Sequence, residues 1–157
     1  MIKSQIEIHN DHDFFNEVAG KVFHATTLEN IKKIEDDGVL RPKLDKVDFP
    51  FGKGKNGYFR LKGCVSFFDC RDIKKWETHV FRCRPTKIFK EFFSMSVLIL
   101  KTSHYDNLMS LSGSEKLKAM AEGAVPDIEV GIHGNVPIDH ISRHIIVKLA
   151  KDHDIFS

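Results

Sequence analysis

The stretch "KVFHATTLENIKKIEDDGVL", residues 21–40, decides how the chain is read. Val22 and Phe23 open it as a short strand, yet the strand runs on into His24 and Thr26, where apolar residues would be expected to feed a core. Residues two apart on a strand share a face, so this spacing presents an imidazole and a hydroxyl side by side at the strand's end. A helix follows at once. Thr26 and Glu29 stand at capping-box spacing, Leu28, Ile31 and Ile34 fall on one face, and Gly38 supplies the stop.

Working outward, "HNDHDFFNEVAG" precedes the stretch as a polar lead with a short helix. His9, Asp11, His12 and Asp13 crowd together there, but no further ligands follow at zinc spacing, so the segment reads as solvated rather than metal-binding. After it, "RPKLDKVDFPFGKGKNGYFRLK" (41–62) holds two prolines, three glycines and much lysine, the composition of a long loop. "GCVSFFD" reads as a strand, and "RDIKKWETHVFRC" as a helix or irregular segment with Trp76 packed. "FFSMSVLILKT" is the near-continuous apolar run of a buried central strand. "SGSEKLKAMAEGA" is helical, capped by Ser112 or Ser114 and stopped at Gly123. "DIEVGIH" and "RHIIVKLA" are two last strands around the turn "GNVPIDHIS", whose flanking His133 and His140 read as structural. Five or six strands with two or three short helices make an α+β fold.

A chain of 157 residues, 41% of them hydrophobic, is the size of one globular domain spanning 1–157. No run has the length of a membrane span, and the first residues lack the apolar stretch and small-residue cleavage site of a secretory signal, so a cytoplasmic protein without a membrane partner is expected. Cys64, Cys70 and Cys83 form no C-x-x-C pair and read as reduced structural thiols. The net charge of +2 hides an asymmetry. Residues 41–90 carry fourteen Lys or Arg against five acids, a local balance of +9 that leaves −7 for the rest. That patch reads either as a surface for an anionic partner such as a nucleic acid, or as a solvated lysine-rich loop.

Two further polar intrusions interrupt apolar strands: Ser66 in "CVSFFD" and Glu129 in "PDIEVGIH". Each of them, like His24, reads singly as a satisfied core residue more often than as a functional one. Their order is more informative. A strand with H-x-T and a helix ending in glycine, then G-x-V-S-F-F-D, then a late acidic strand followed by "IDHISRHIIV", resembles the ADP-ribosyltransferase superfamily. It is most similar to the small bacterial and phage-associated members, including DNA-targeting toxins, and the resemblance spans residues 21–149.

The resemblance implies a split, two-sheet α+β fold with NAD bound as co-substrate in the cleft between the sheets. No G-x-G-x-x-G fingerprint of the alternative dinucleotide fold is present. By the same resemblance His24 would hold the nicotinamide-side ribose with Thr26 bonding nearby, Ser66 would brace the site, and Phe67, Phe68 or Tyr58 would wall the nicotinamide. Glu129 would be the catalytic carboxylate. Asp127, expected on the same strand face two residues earlier, would orient the acceptor, in the place of a longer Gln or Glu; it reads equally as an exposed residue. No S-T-S triplet stands on the second strand. The implied activity is NAD-dependent mono-ADP-ribosyl transfer by a toxin or defence effector, acting on nucleic acid or protein, with an antitoxin as an implied partner. The alternatives are an RNA 2′-phosphotransferase-like NAD user, whose arginine pattern is not recognisable here, and a silent module binding ADP-ribose or nucleic acid through residues 41–90.

Overall fold

A computed structural model describes residues 1–42, 58–79, 94–121, 124–125 and 127–152. Eight strands are present among them: β1 (Ile2–Ile8), β2 (Val22–Thr26), β3 (Val39–Leu40), β4 (Cys64–Asp69), β5 (Ser94–Leu100), β6 (Glu129–His133), β7 (Val136–Pro137) and β8 (Ile141–Leu149). The helices are α1 (Asp11–Val18), α2 (Leu28–Asp37), α3 (Tyr58–Leu61), α4 (Ile73–His79) and α5 (Ser114–Ala121). The fold is α+β: a mixed six-stranded sheet in the order β1-β8-β5-β2-β4-β6, and a small sheet pairing β3 with β7. No helix among the described residues is long and apolar enough to cross a membrane.

Strand alternation sorts the core into two faces of the main sheet. On one face Phe23, Met95, Val97, Ile99, Ile145 and Val147 are covered by α1, through Phe14 and Val18, and by Trp76 of α4. On the other, Val22, Phe67, Leu98, Val65 and Ile132 are covered by Ile31 of α2, by Leu40 of β3 and by Val136 of β7. A third cluster seats Tyr58 and Phe59 of α3 on Cys64 beside Ala119 of α5. The apolar run of β5 is buried on both sides, as its sequence predicts.

The join between β2 and β4 positions everything that follows. The two strands pair only at Val22↔Asp69 and Phe23↔Phe68. Beyond that point β2 continues with β5 as far as Thr26↔Ser96, while β4 continues with β6 as far as Cys64↔His133. The main sheet therefore opens into a fork, with β5-β2 on one arm and β4-β6 on the other.

The structure corrects several local expectations. The α2 N-cap is Thr27, whose hydroxyl accepts from the Asn30 N–H at 3.2 Å; Thr26 belongs to the strand before it. Gly38 ends the helix at φ 68°, as expected of a left-handed C-cap. A strand that the sequence reading does not assign, β1, precedes the polar lead and pairs in parallel with β8. The "HNDHD" segment caps a helix, Asn10 accepting from the Asp13 N–H, and His9 Nδ1 lies 3.1 Å from Asp152. Cys64 and Cys70 are buried; Cys83 and Gly123 lie outside the described residues, as does most of the loop expected over 41–62.

Candidate functional site

His24 stands at the mouth of the fork. Its Nδ1 lies 2.8 Å from the Ser66 carbonyl of β4, where the β2–β4 ladder has already ended. A carbonyl oxygen can only accept, so Nδ1 carries the proton, and in the neutral ring Nε2 is the acceptor nitrogen. Phe67 flanks the imidazole at 5.8 Å between ring centroids.

Glu129 is the first residue of β6, held from two sides. Ser66 Oγ donates to Oε1 at 2.7 Å and the Val125 N–H donates to Oε2 at 3.0 Å. Its own N–H donates to the Val125 carbonyl, closing a tight loop around the carboxyl. Buried Val125 and Ile128 stand close in sequence, and Phe68 is its cross-strand partner. Burial pushes the Glu129 pKa up from the ordinary value, and the bonds from Ser66 and Val125 only partly offset this. Further along β6, Gly131 admits the ring of Phe59: a Cβ there would fall 2.4 Å from Phe59 Cδ1 and 2.9 Å from Cys64 Cβ.

The remaining predicted residues scatter around this pair. Asp127 is not on β6. It sits in the turn before the strand at φ 64°, a left-handed conformation that aspartate tolerates, and both its oxygens accept from Lys116 Nζ of α5, at 2.7 and 2.8 Å. It therefore does not share a strand face with Glu129. Thr26 is 8% exposed and pairs across the ladder with fully buried Ser96. Phe67 is fully buried beside His24, while Phe68 stacks on Phe23 at 5.3 Å. Tyr58 lies edge-on to Phe59 in the α3 cluster, with Lys62 Nζ 5.6 Å from its ring centroid.

Alternation also divides the candidates. His24, Thr26 and Phe67 point to the face covered by α2; Ser66 and Glu129 point to the other. Ser66 links the two faces, its backbone oxygen bonded to His24 and its hydroxyl to Glu129. Chemically, this combines an imidazole whose Nδ1–H is held by a backbone carbonyl with a carboxyl whose basicity is raised and whose orientation is fixed by two donors.

Sequence reasoning missed a second polar group beneath α2. His144 of β8 is 4% exposed, its Nε2 lies 3.0 Å from Ser96 Oγ, and its Nδ1 lies 3.7 Å from Glu35, which pairs with Lys3 at 2.7 Å. Burial holds the His144 pKa below its ordinary value. The available signal was the polar interruption of two apolar strands, at Ser96 in "SMSVLIL" and at His144 in "RHIIV". Among the described residues no group of three or more His, Cys, Asp or Glu is placed to hold a metal ion. Comparisons of the chain with protein-family models, with curated proteins and with solved structures found no match.

Proposed function

We propose that the chain is an NAD-dependent mono-ADP-ribosyltransferase of the split-sheet kind, acting on a nucleic-acid or protein acceptor as a toxin or defence effector in a cytoplasmic setting. The observation that carries this reading is the hydrogen-bonded chain from His24 through Ser66 to Glu129, built across the fork between β2 and β4. Breaking the nicotinamide–ribose bond sends the electron pair to the nicotinamide ring and leaves an oxocarbenium-like ribose. A fixed, poorly hydrated carboxylate opposes that charge best where it develops. Glu129 suits the role in its ionised form, and Ser66 and Val125 supply the two donors that favour ionisation against burial. With its Nδ1 proton committed to Ser66, His24 would hold the nicotinamide-side ribose. Lys116 already holds Asp127, so an acceptor-orienting role would require that pair to open.

One observation favours a second reading, a catalytically silent module that binds ADP-ribose or nucleic acid. His24 and Glu129 lie on opposite faces of the sheet, and both Glu129 oxygens already have donors. Titrating NAD and ADP-ribose calorimetrically into the wild type and His24→Ala separates the two readings. The transferase reading expects weaker NAD binding and slower nicotinamide release in the variant. Equal affinity and rate in the two proteins would return His24 to a structural role, and ADP-ribose binding without any turnover would favour the silent module.

A further inference from the structure

At the end of β4, Asp69 and Arg71 are locked together. Arg71 Nε donates to Asp69 Oδ1 at 2.9 Å, Nη2 to Oδ2 at 2.7 Å, and the Arg71 backbone N–H to Oδ1 at 3.1 Å. The guanidinium carbon sits 4.7 Å from the centroid of the Tyr105 ring, so one edge and one face of the group are fixed. Burial acts to raise the Asp69 pKa, but the bonds and charge of Arg71, with the nearby charge of Lys75, bring it below the ordinary carboxylate value. A guanidinium has five N–H donors, and the side-chain bonds to Asp69 take one each from Nε and Nη2. The bonds to Asp69 do not use Nη1.

An open recess of about 570 Å³ is lined by the apolar Ile73 and by the charged Asp69, Arg71, Asp72, Lys74, Lys75 and Asp127. Each of its carboxylates is already engaged. Asp69 holds Arg71, Asp127 accepts from Lys116, and Asp72 Oδ1 accepts from the backbone N–H groups of Lys74 and Lys75 at 3.1 and 3.3 Å. The ammonium groups of Lys74 and Lys75 have no carboxylate within ion-pairing distance among the described residues. The recess thus gathers Arg71, Lys74 and Lys75 beside three carboxylates that each accept a hydrogen bond from within the protein, and Arg71 also feels the charge of Asp106.

We infer that this recess binds a phosphate group, with the Arg71 Nη1 edge donating to its oxygens and Lys74 and Lys75 neutralising its charge. A rigid guanidinium fork with flanking ammonium groups matches a tetrahedral oxyanion of more than one charge. This inference does not depend on the transferase reading, and it concerns neither His24 nor Glu129.

The test uses the whole chain labelled with 15N and titrated with sodium phosphate, then with sodium chloride at matched ionic strength. Saturable amide shifts over residues 69–75 are expected with phosphate alone. Calorimetry with ADP, adenosine and inorganic phosphate distinguishes the source. ADP binding tighter than phosphate identifies a nucleotide phosphate, and ADP binding no tighter than phosphate identifies the free ion; in either case adenosine should not compete for the recess. Lys74→Gln/Lys75→Gln alters two exposed side chains and leaves the Asp69–Arg71 pair intact. It should weaken phosphate binding about tenfold or more, the scale of losing charge-assisted bonds. Arg71→Lys keeps the charge, loses the fork, and should also weaken binding. Shifts with phosphate no larger than with chloride, or unchanged phosphate affinity in the double lysine variant, would overturn the inference.

Discussion

Ser66 Oγ donates to Glu129 Oε1 across 2.7 Å, joining β4 to β6 through side chains on the face opposite His24. Serine is the smallest side chain that can make this bond, and its removal leaves a desolvated carboxyl with the Val125 N–H as its remaining donor among the described residues. Ser66→Ala should therefore destabilise the fold near pH 7 by about 1–3 kcal/mol, the scale of a buried acceptor losing a partner, with the Glu129 pKa rising further. Urea denaturation of the two proteins checks the first effect. A loss indistinguishable from zero would mean that water replaces the hydroxyl.

The raised Glu129 pKa and the lowered His144 pKa give stability opposite slopes with pH. For Glu129 the folded state holds its proton more tightly than the unfolded chain, so its contribution is greatest below the ordinary value of 4.5 and is lost as pH rises through the folded value. For His144 the folded state resists protonation, so its contribution is present above the ordinary 6.5 and is lost as pH falls from there through the folded value. The groups facing His144 are Glu35 of α2, whose charge opposes the shift, and Lys3 of β1, whose charge reinforces it. Denaturation curves between pH 4 and pH 8 should show the acid-side loss flattened in His144→Gln and the rise-side loss flattened in Glu129→Gln. An unaltered profile in either variant would remove that group from the account.

The helix cap offers a sharper local test. Thr27→Ala should lower stability by about 1 kcal/mol, because the Asn30 N–H loses its acceptor at the start of α2. A change near zero in the denaturation midpoint would place the cap elsewhere.

Gly131 is fixed by packing rather than by backbone conformation. Gly131→Ala would push a methyl group into the Phe59 ring and Cys64 Cβ, and overpacking of this kind destabilises by about 1–3 kcal/mol. Shortening the ring in Gly131→Ala/Phe59→Leu should recover part of that loss. Additive losses in the double variant would contradict the contact.

These contacts explain which parts of the fold were legible in the sequence. The packing of Ile31 and Ile34 of α2, its glycine stop and the buried run of β5 are local signals that were read correctly, whereas Leu28 of the same period is exposed. The cap was misplaced by one residue because Thr26 and Thr27 carry the same hydroxyl, and only the length of β2 assigns Thr26 to the strand. Asp127 follows the alternation of β6 in sequence, but periodicity does not register a positive φ that ends the strand before it. Alternation is also present in β1, where Ile2, Ser4, Ile6 and Ile8 share a face, but the parallel partner that makes it part of the sheet, β8, is distant in sequence.

The division of the site was illegible for a different reason. Alternation fixes which residues share a face within one strand, so it pairs His24 with Thr26 and Ser66 with Phe68. It does not relate one strand's faces to another's. That relation comes from the register Phe23↔Phe68, a contact between residues 45 positions apart in the chain, which puts His24 and Ser66 on opposite sides. The two-residue length of the β2–β4 join, which creates the fork, is likewise a property of pairing.

The most direct test of the proposed transfer is nicotinamide release from labelled NAD by the wild type and by Glu129→Gln, with DNA, RNA and protein offered as acceptors and folding of both proteins checked by circular dichroism. Removing the charge should slow release by about a hundredfold or more while NAD affinity changes little, because the carboxylate acts on the developing cation rather than on the bound ground state. Equal release by the two folded proteins, or none by the wild type with any of the acceptors, would contradict it.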